Sequence, residues 1–540
     1  MQADMTPVVN LTAPHGAGAV RSQRPVFVDL MPPCNAACPA GENIQAWLAH
    51  AQAGEYRKAW DVLVQDNPLP AIHGRVCYHP CETACNRGEL DAAVSVHAVE
   101  RYLGDLAIAE GWTPACAAPT GKRVLVVGAG PSGLSAAYHL ARRGHYVEIH
   151  EAGPIAGGML HFGIPAYRLP RDVVVAEVAR IERMGVVIHL NRKVEDLAAV
   201  RRAGNFDAVF VAIGAHVSRH ADIPARDAAR ISDAVSYLRD ASAGAAPLLG
   251  RRVVVYGGGN TAMDAARTAR RLGAEEAIIV YRRDRAHMPA HGFEADEADA
   301  EGVKFRWLST IKDFAGQSLT IERMTLDANG RPVPTGEFET LEADAVVLAL
   351  GQETDSGFLR AVPGIEFKSD ATVIVGPDMM TGAPGIFAGG DMVPSERTVT
   401  VAVGHGKKAA RHVDAWLRQK STEPGPRHPG VTFPMLNLPV FSDAQPTAQH
   451  SLEGPTRLDG FAEIVAGLSE AEARREAQRC LSCGNCFECD NCFAACPEQA
   501  IEKLGRGRRY RFDYAICTGC AVCYEQCPCH AIDMTAEATP

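Results

Sequence analysis

Residues 122–127 (KRVLVV) end in an unbroken apolar run, pass into a glycine-rich turn, and are followed by apolar positions at helical spacing as far as Leu140. That order predicts a buried strand, a tight turn and a helix. Residues 251–256 (RRVVVY) repeat it, so two units of dinucleotide-binding type are predicted. Strands ending in AIGA at 212–215 and ALGQ at 349–352, with GIFAGGD at 385–391, suit one core into which the second unit is inserted. Nearer the start, Trp47, Leu48, Ala51, Trp60, Leu63 and Val64 recur at helical spacing, with Gly54 between two short helices. Residues 421–460 are rich in proline and turn residues and read as a strap, followed by a helix over 470–478. Residues 1–30 carry little pattern and read as an arm without assigned function.

Length and charge narrow the class. A chain of 540 residues, 47% hydrophobic and 22% charged, suits about three or four globular domains of roughly 150 residues and is too long for a small binding module. The net charge of −10 arises from 54 basic and 64 acidic residues without a large block of either sign, which argues against a nucleic-acid partner. No stretch approaches the roughly 18 to 20 apolar residues of a membrane helix, and residues 1–24 lack the apolar core of a signal peptide, so a cytoplasmic protein with no membrane partner is expected. The 17 cysteines fall at the two ends: five within 34–85, Cys116 alone, and eleven within 480–529. Segregated in this way, they point to metal rather than disulfides.

The glycine turns carry the first chemistry. Gly128, Gly130 and Gly133 permit the turn and the close approach of backbone amides to a pyrophosphate, with Pro131 and Ser132 opening the helix at its positive end. Glu151 lies 23 residues beyond Gly128, at the end of the next predicted strand, where a carboxylate accepts hydrogen bonds from a ribose diol. The pair Gly157 and Gly158 and the distant GGD ending at Asp391 supply a second segment for a ribityl and flavin end, which points to FAD. The second turn, with Gly257, Gly259, Asn260 and Thr261, leads to a strand that ends in Arg282, Arg283 and then Arg285 where a diol-binding acid would sit. These arginines suit a 2′-phosphate, so NADPH is the expected nucleotide; NADH stays open if they form only a solvated run. Residues 117–479 contain no cysteine, which excludes a redox-active CxxC beside either nucleotide and hence a disulfide reductase of the thioredoxin-reductase kind.

Electrons leaving a flavin need another route, and the C-terminal cysteines offer it. Cys486, Cys489, Cys492 and Cys496 precede a proline, and Cys517, Cys520, Cys523 and Cys527 repeat the spacing. In a two-cluster bacterial ferredoxin, three thiolates of one run and the fourth of the other bind each cubane. Cys486, Cys489, Cys492 and Cys527 are therefore expected to hold one [4Fe-4S] cluster, and Cys517, Cys520, Cys523 and Cys496 the second. The duplicated run and its prolines argue against zinc knuckles. The basic stretch 503–511 between the runs reads as an exposed hairpin. No nucleophile, base and orienter set of hydrolase type is found, and His287 and His405 read as structural or surface residues.

GAGPSGL at 128–134, GGGNTAMDA at 257–265, GGMLHFGIPAYRLP at 157–170, and GRVC at 74–77 with Cys81 and Cys85 resemble the small subunit of bacterial glutamate synthase and the N-terminal part of dihydropyrimidine dehydrogenase. The resemblance spans roughly residues 32–418 and implies an FAD and NADPH core, with cofactor contacts from Gly158, Arg168, Gly390, Asp391, Thr398, Thr400 and Val401. It further implies a [4Fe-4S] cluster held by Cys38, Cys77, Cys81 and Glu100. The family's first CxxC is absent, which leaves Cys34 and Cys85 short of two thiolates. EAQRCLSC at 476–483 resembles the missing motif, so Cys480 and Cys483 are expected to complete that cluster. The alternative is a single N-terminal cluster among Cys34, Cys38, Cys77, Cys81 and Cys85, with Cys480 and Cys483 as a spare pair; Cys116 and Cys529 are unassigned.

The appended ferredoxin makes the whole look like the fused flavin and iron-sulfur proteins that serve 2-oxoacid:ferredoxin oxidoreductases and related NADP-linked systems. The expected plan is α/β: an arm (1–30), a helical iron-sulfur domain (31–118), an FAD domain in two parts (119–246 and 351–420) around an NAD(P)H domain (247–350), both of Rossmann type, a strap (421–479), and an α+β ferredoxin (480–540). The expected function is electron transfer between NADP(H), FAD, [4Fe-4S] clusters and a ferredoxin or 2-oxoacid oxidoreductase partner, in either direction, within a hetero-oligomer. A glutamate synthase small subunit feeding a separate large subunit is the alternative, and a non-catalytic iron-sulfur scaffold a further one.

Overall fold

The computed structural model describes residues 21–218, 223–226, 230–421 and 428–537; residues 1–20, most of the expected arm, lie outside the described residues. Strand Arg123–Val127 occupies the middle of a five-stranded parallel sheet ordered Ile386–Ala388, Ala208–Val211, Arg123–Val127, Tyr146–His150, Val187–His189. Its residues from Val124 onward are buried, as in a parallel sheet covered on both faces. Helices Pro131–Arg142 and Val399–Arg418 pack together, with Ser135 Oγ donating to the Val403 carbonyl at 2.8 Å. The second unit repeats this around Arg252–Tyr256, in the order Lys304–Arg306, Glu276–Val280, Arg252–Tyr256, Ala345–Leu348, Arg230–Asp233. Strands Val217–Ser218 and Gln352–Glu353 pair antiparallel where the chain leaves the first unit and returns to it, so the insertion hangs on a two-stranded neck.

Two boundaries differ from expectation. Strand Arg230–Asp233 and helix Ala234–Ser242 belong to the second unit, although its start was expected at 247. This edge strand is short and buries none of its residues fully, so it carries no apolar run to read. The second difference concerns the arm: strand Gln23–Phe27 pairs antiparallel with Ile532–Ala536, from Gln23 opposite Ala536 to Phe27 opposite Ile532. The start of the described chain is thus a strand of the C-terminal module.

The N-terminal region is helical, with Ile44–Gln52 and Tyr56–Leu63 separated at Gly54. Trp47, Leu48, Ala51 and Leu63 form its core, while Trp60 and Ile72 join the core of the first parallel-sheet unit. Helix Glu470–Gln478 carries a capping box at Ser469 and packs on Ile44–Gln52 and Val96–Ala109. Beyond it lies the basic hairpin, Ile501–Lys503 against Tyr510–Phe512, between the two cysteine runs. No helix among the described residues is long and apolar enough to cross a membrane.

Candidate functional site

Strand Arg123–Val127 delivers the chain to the N-terminus of helix Pro131–Arg142, with Gly130 as the cap. A side chain at Gly133 would come within 1.9 Å of the Gly128 carbonyl oxygen, so helix and turn touch there only through glycine. A side chain at Gly130 would meet no protein atom within 4 Å, which leaves open ground before the helix end. Ser132 Oγ is buried beside Gly390 without a hydrogen-bond partner among the described residues. An orphan hydroxyl, unpaired first-turn amides and a positive helix end in one open cradle fit a dinucleotide pyrophosphate. Glu151 accepts from the Ala129 and Gly153 N–H groups, each at 2.7 Å, and is fixed at the cradle's edge. Gly158 approaches Gly130 from the other side.

Thr398 caps the 20-residue helix Val399–Arg418, its Oγ1 accepting from the Val401 N–H at 3.1 Å, and Gly390 and Asp391 pack against that helix. Asp391 is half-buried, and burial pushes its carboxyl up to about 6. His405 Nδ1 accepts the Gly390 N–H at 3.2 Å, a structural prop as expected, while His287 is exposed and pairs with Asp284.

The second cradle repeats the first. A side chain at Gly257 would strike the Ala349 carbonyl oxygen at 2.3 Å, whereas Gly259 faces open space before helix Asn260–Arg271, whose first turn carries Thr261. The Asn260 side chain donates to the Tyr78 hydroxyl at 2.7 Å and accepts from the His291 N–H at 3.0 Å, and the Tyr78 ring stacks on His291 at 3.6 Å. Arg282 is exposed just beyond strand Glu276–Val280 and makes no ion pair among the described residues; Arg283 is half-buried with Nε unpaired, and Arg285 pairs with Asp296. Unspent guanidinium groups at a strand end fit a 2′-phosphate. Arg168, which the resemblance set at a cofactor, has its buried guanidinium engaged by Asp264 at 2.9 Å and by Glu294. These two carboxylates tie segment 157–170 to helices Asn260–Arg271 and Gly292–Ala300.

The thiols gather in four sets. Cys38, Cys77 and Cys81 gather near Glu100: burial raises each thiol most, and neighbouring carboxylates add to it, Glu42 ahead of Glu100 at Cys38, Glu100 ahead of Glu42 at Cys77, and Glu82 ahead of Glu100 at Cys81. Thr400 Oγ1 donates to Cys77 Sγ at 3.1 Å, so the helix beside the first cradle touches this set. Glu100 is held well above the usual carboxylate range by burial and then by the charge of Glu42. Asn67 Nδ2 bridges Glu100 at 2.5 Å, Glu42 at 3.1 Å and His73 at 2.8 Å. Cys34, Cys85, Cys480 and Cys483 line one small pocket with Pro33, Leu48 and Val96. Cys496, Cys517, Cys520 and Cys523 line another. In the fourth set, burial and then Cys486, Cys489 and Cys527 push Cys492 up to about 12. Buried sulfurs whose ionised forms repel one another are a donor set suited to iron-sulfur clusters, whose iron neutralises the thiolates. Cys529 Sγ lies 3.9 Å from Cys527 Sγ, and Cys116 is exposed.

Sequence reasoning missed the Glu42, Asn67 and His73 group around Glu100 and the Tyr78 and His291 stack over Asn260. Their members lie in different segments with no fixed spacing, so only the packed fold brings them together.

The pyridine nucleotide-disulphide oxidoreductase family matches residues 122–406, and the family described as dihydropyrimidine dehydrogenase domain II, 4Fe-4S cluster, matches residues 18–112. The chain is 38% identical over 499 residues to the NADP(+)-dependent formate dehydrogenase subunit beta of Moorella thermoacetica, covering 84% of this chain and 70% of that one. It is 34% identical over 511 residues to the NADPH-Fe(3+) oxidoreductase subunit beta of Geobacter sulfurreducens, covering 84% and 75%. To the glutamate synthase [NADPH] small chain of Escherichia coli it is 33% identical over 420 residues, covering 72% and 89%.

Proposed function

The chain belongs to the pyridine nucleotide-disulphide oxidoreductase family, and on that premise we propose that it is the NADP(H)-handling subunit of a hetero-oligomeric electron-transfer enzyme whose partner is a ferredoxin or a 2-oxoacid oxidoreductase. It is an iron-sulfur flavoprotein, with FAD, NADP and [4Fe-4S] clusters as its cofactors. When bound, FAD takes the two electrons of a nicotinamide hydride and releases them singly to clusters that accept one each. The protein's own residues bind and orient. Gly128, Gly130, Pro131, Ser132, Gly133 and Glu151 would hold the adenine dinucleotide end of FAD; Gly158, Gly390, Asp391, Thr398, Thr400 and Val401 would face its flavin end. Gly257, Gly259, Asn260 and Thr261 would hold the pyrophosphate of NADPH, and Arg282 and Arg283 its 2′-phosphate. Cys38, Cys77, Cys81 and Glu100 would ligate the cluster nearest the flavin, and the two ferredoxin sets would carry electrons outward. A chain with this many thiolate ligands works in a reducing compartment, which favours the cytoplasm.

One observation carries the reading. The hydrogen bond from Thr400 Oγ1 to Cys77 Sγ, at 3.1 Å, supports a path from the side of the first cradle where the flavin would lie to a thiol that would ligate a cluster. Residues 117–479 contain no cysteine pair to receive the electrons instead, despite the disulphide in the family's name. An anaerobic optical titration tests it: NADPH is expected to bleach the flavin and then the cluster absorbance. Flavin that fails to respond to either nicotinamide would refute the reading, and a preference for NADH would overturn the role of Arg282 and Arg283.

A further inference from the structure

Among the described residues, Cys34 and Cys85 share their pocket with no third thiol of their own domain, and the way they are presented explains why. Cys34 and Cys38 stand one helical turn apart at helix Pro33–Ala37, and Cys81 and Cys85 one turn apart at helix Pro80–Thr83. Cys38 and Cys81 lie with Cys77 near Glu100, while Cys34 and Cys85 line the pocket that also contains Cys480 and Cys483.

The segment bearing those last two thiols is locked onto the N-terminal domain. Ala477 and Cys480 pack in the cluster of Trp47 and Leu48. Arg479, 2% exposed, donates to the carbonyls of Ala92, Ala93 and Ala444 and pairs with Asp91 at 3.1 Å and Glu476 at 2.6 Å. Arg87 donates to the Arg479 carbonyl at 3.0 Å, and Asn86 Nδ2 to Cys483 Sγ at 3.5 Å. The loop itself has the form of the ferredoxin loops. Ser482 adopts φ +50°, as Glu488 (φ +60°) does between Cys486 and Cys489 and Gly519 (φ +71°) between Cys517 and Cys520. Its N–H points to Cys480 Sγ at 3.4 Å.

We propose that Cys34, Cys85, Cys480 and Cys483 hold a [4Fe-4S] cluster assembled from both ends of the chain, and that it links the Glu100 set to the ferredoxin module. Its existence stands on these side chains alone; what flows through it rests on the proposed function. Ligand spacing places it in series. It is one helical turn from the Glu100 set through Cys34 with Cys38 and Cys81 with Cys85, and three residues from the ferredoxin through Cys483 and Cys486. Cys480 and Cys483 form one CxxC pair, but Cys34 and Cys85 come singly from two short helices, so the set is not the two paired knuckles of structural zinc. Each NADPH supplies two electrons, which would pass through this site one at a time to a one-electron carrier protein of ferredoxin class.

Anaerobically purified protein is expected to contain about 16 iron and 16 acid-labile sulfide per chain, four cubanes. Cys480→Ser and Cys34→Ser are each expected to lose the same about four iron and the same electron paramagnetic resonance signal of the reduced protein, and the double variant no more than either single one. Cys116→Ser is the control with full iron. Unchanged iron in Cys480→Ser, or zinc without the matching sulfide in the wild type, would overturn the site. Should the variants fail to fold, alkylation of the wild-type holoprotein decides: Cys34 and Cys480 are expected to become reactive together when iron is chelated, and reaction of Cys480 before chelation refutes the assignment. A protein with the full iron content that ignores NADPH would refute the proposed function and leave this site standing.

Discussion

On the proposed function, single side chains set the chemistry at three places. At Cys77, the Thr400 hydroxyl supplies a hydrogen bond to sulfur, which favours the more negative reduced state of an attached cluster. Thr400→Val preserves the shape and removes the bond; a redox titration followed by paramagnetic resonance should show one cluster shifted to lower potential and the rest unmoved. At Arg282, loss of a charge-assisted contact costs about 1.5 to 3 kcal/mol, or roughly a ten- to hundredfold rise in KM at about 1.4 kcal/mol per decade. Arg282→Ala should show that rise for NADPH, while KM for NADH stays within about twofold. At Asp391, burial lifts the carboxyl from the ordinary 3.8 to about 6, so the folded protein holds its proton more tightly than the unfolded chain does. The stability this confers is full below 3.8 and is lost as pH rises through about 6. Chemical denaturation of flavin-free protein at pH 5 and 7 should register that loss, and Asp391→Asn should abolish it.

Elements are held to one another by buried ion networks rather than by apolar area alone. Arg479 and Glu476, at the end of helix Glu470–Gln478, meet Arg87 and Asp91 beside the N-terminal thiols, and Glu476 accepts the N–H groups of Ser95 and Thr447, each at 2.8 Å. Every charge there is paired, so removing one strands the others. Arg479→Ala is expected to cost about 3 to 5 kcal/mol, read as a lower Tm and faster proteolytic cleavage within residues 443–479. Arg168 plays the equivalent part between the two nucleotide units, through Asp264 and Glu294.

Across the whole molecule the ends of the described chain converge. Gln23–Phe27 pairs with Ile532–Ala536, Phe27 packs on Phe512 with ring centroids 5.0 Å apart, and Pro25 lines the pocket of Cys496, Cys517, Cys520 and Cys523. Arg21 donates to the Cys517 carbonyl at 3.0 Å. A chain lacking residues 1–27 exposes the edge of Ile532–Ala536 and one wall of that pocket. It should keep its flavin and lose about four of its iron atoms on exposure to air, as iron and flavin analysis would show.

The nucleotide units and the cysteine-rich C-terminal module were legible because their determinants are local. A buried parallel strand must be apolar, a pyrophosphate turn must be glycine, and a cubane run must space its thiols by two and three residues; each rule acts within a few residues of itself. The helices around Trp47 and over 470–478 were legible for the same reason, through their period. The strand at Gln23–Phe27, the edge strand at Arg230–Asp233, the engagement of Arg168 and the setting of Glu100 were not, since each depends on partners distant along the chain. Cys34 and Cys480 mark the division: spacing and resemblance showed that thiols were wanting at one end and in excess at the other, and gave the expectation that the two meet. Only the packed helices and the Arg479 network bring the two ends to one pocket, because proximity between remote segments is a property of the tertiary fold.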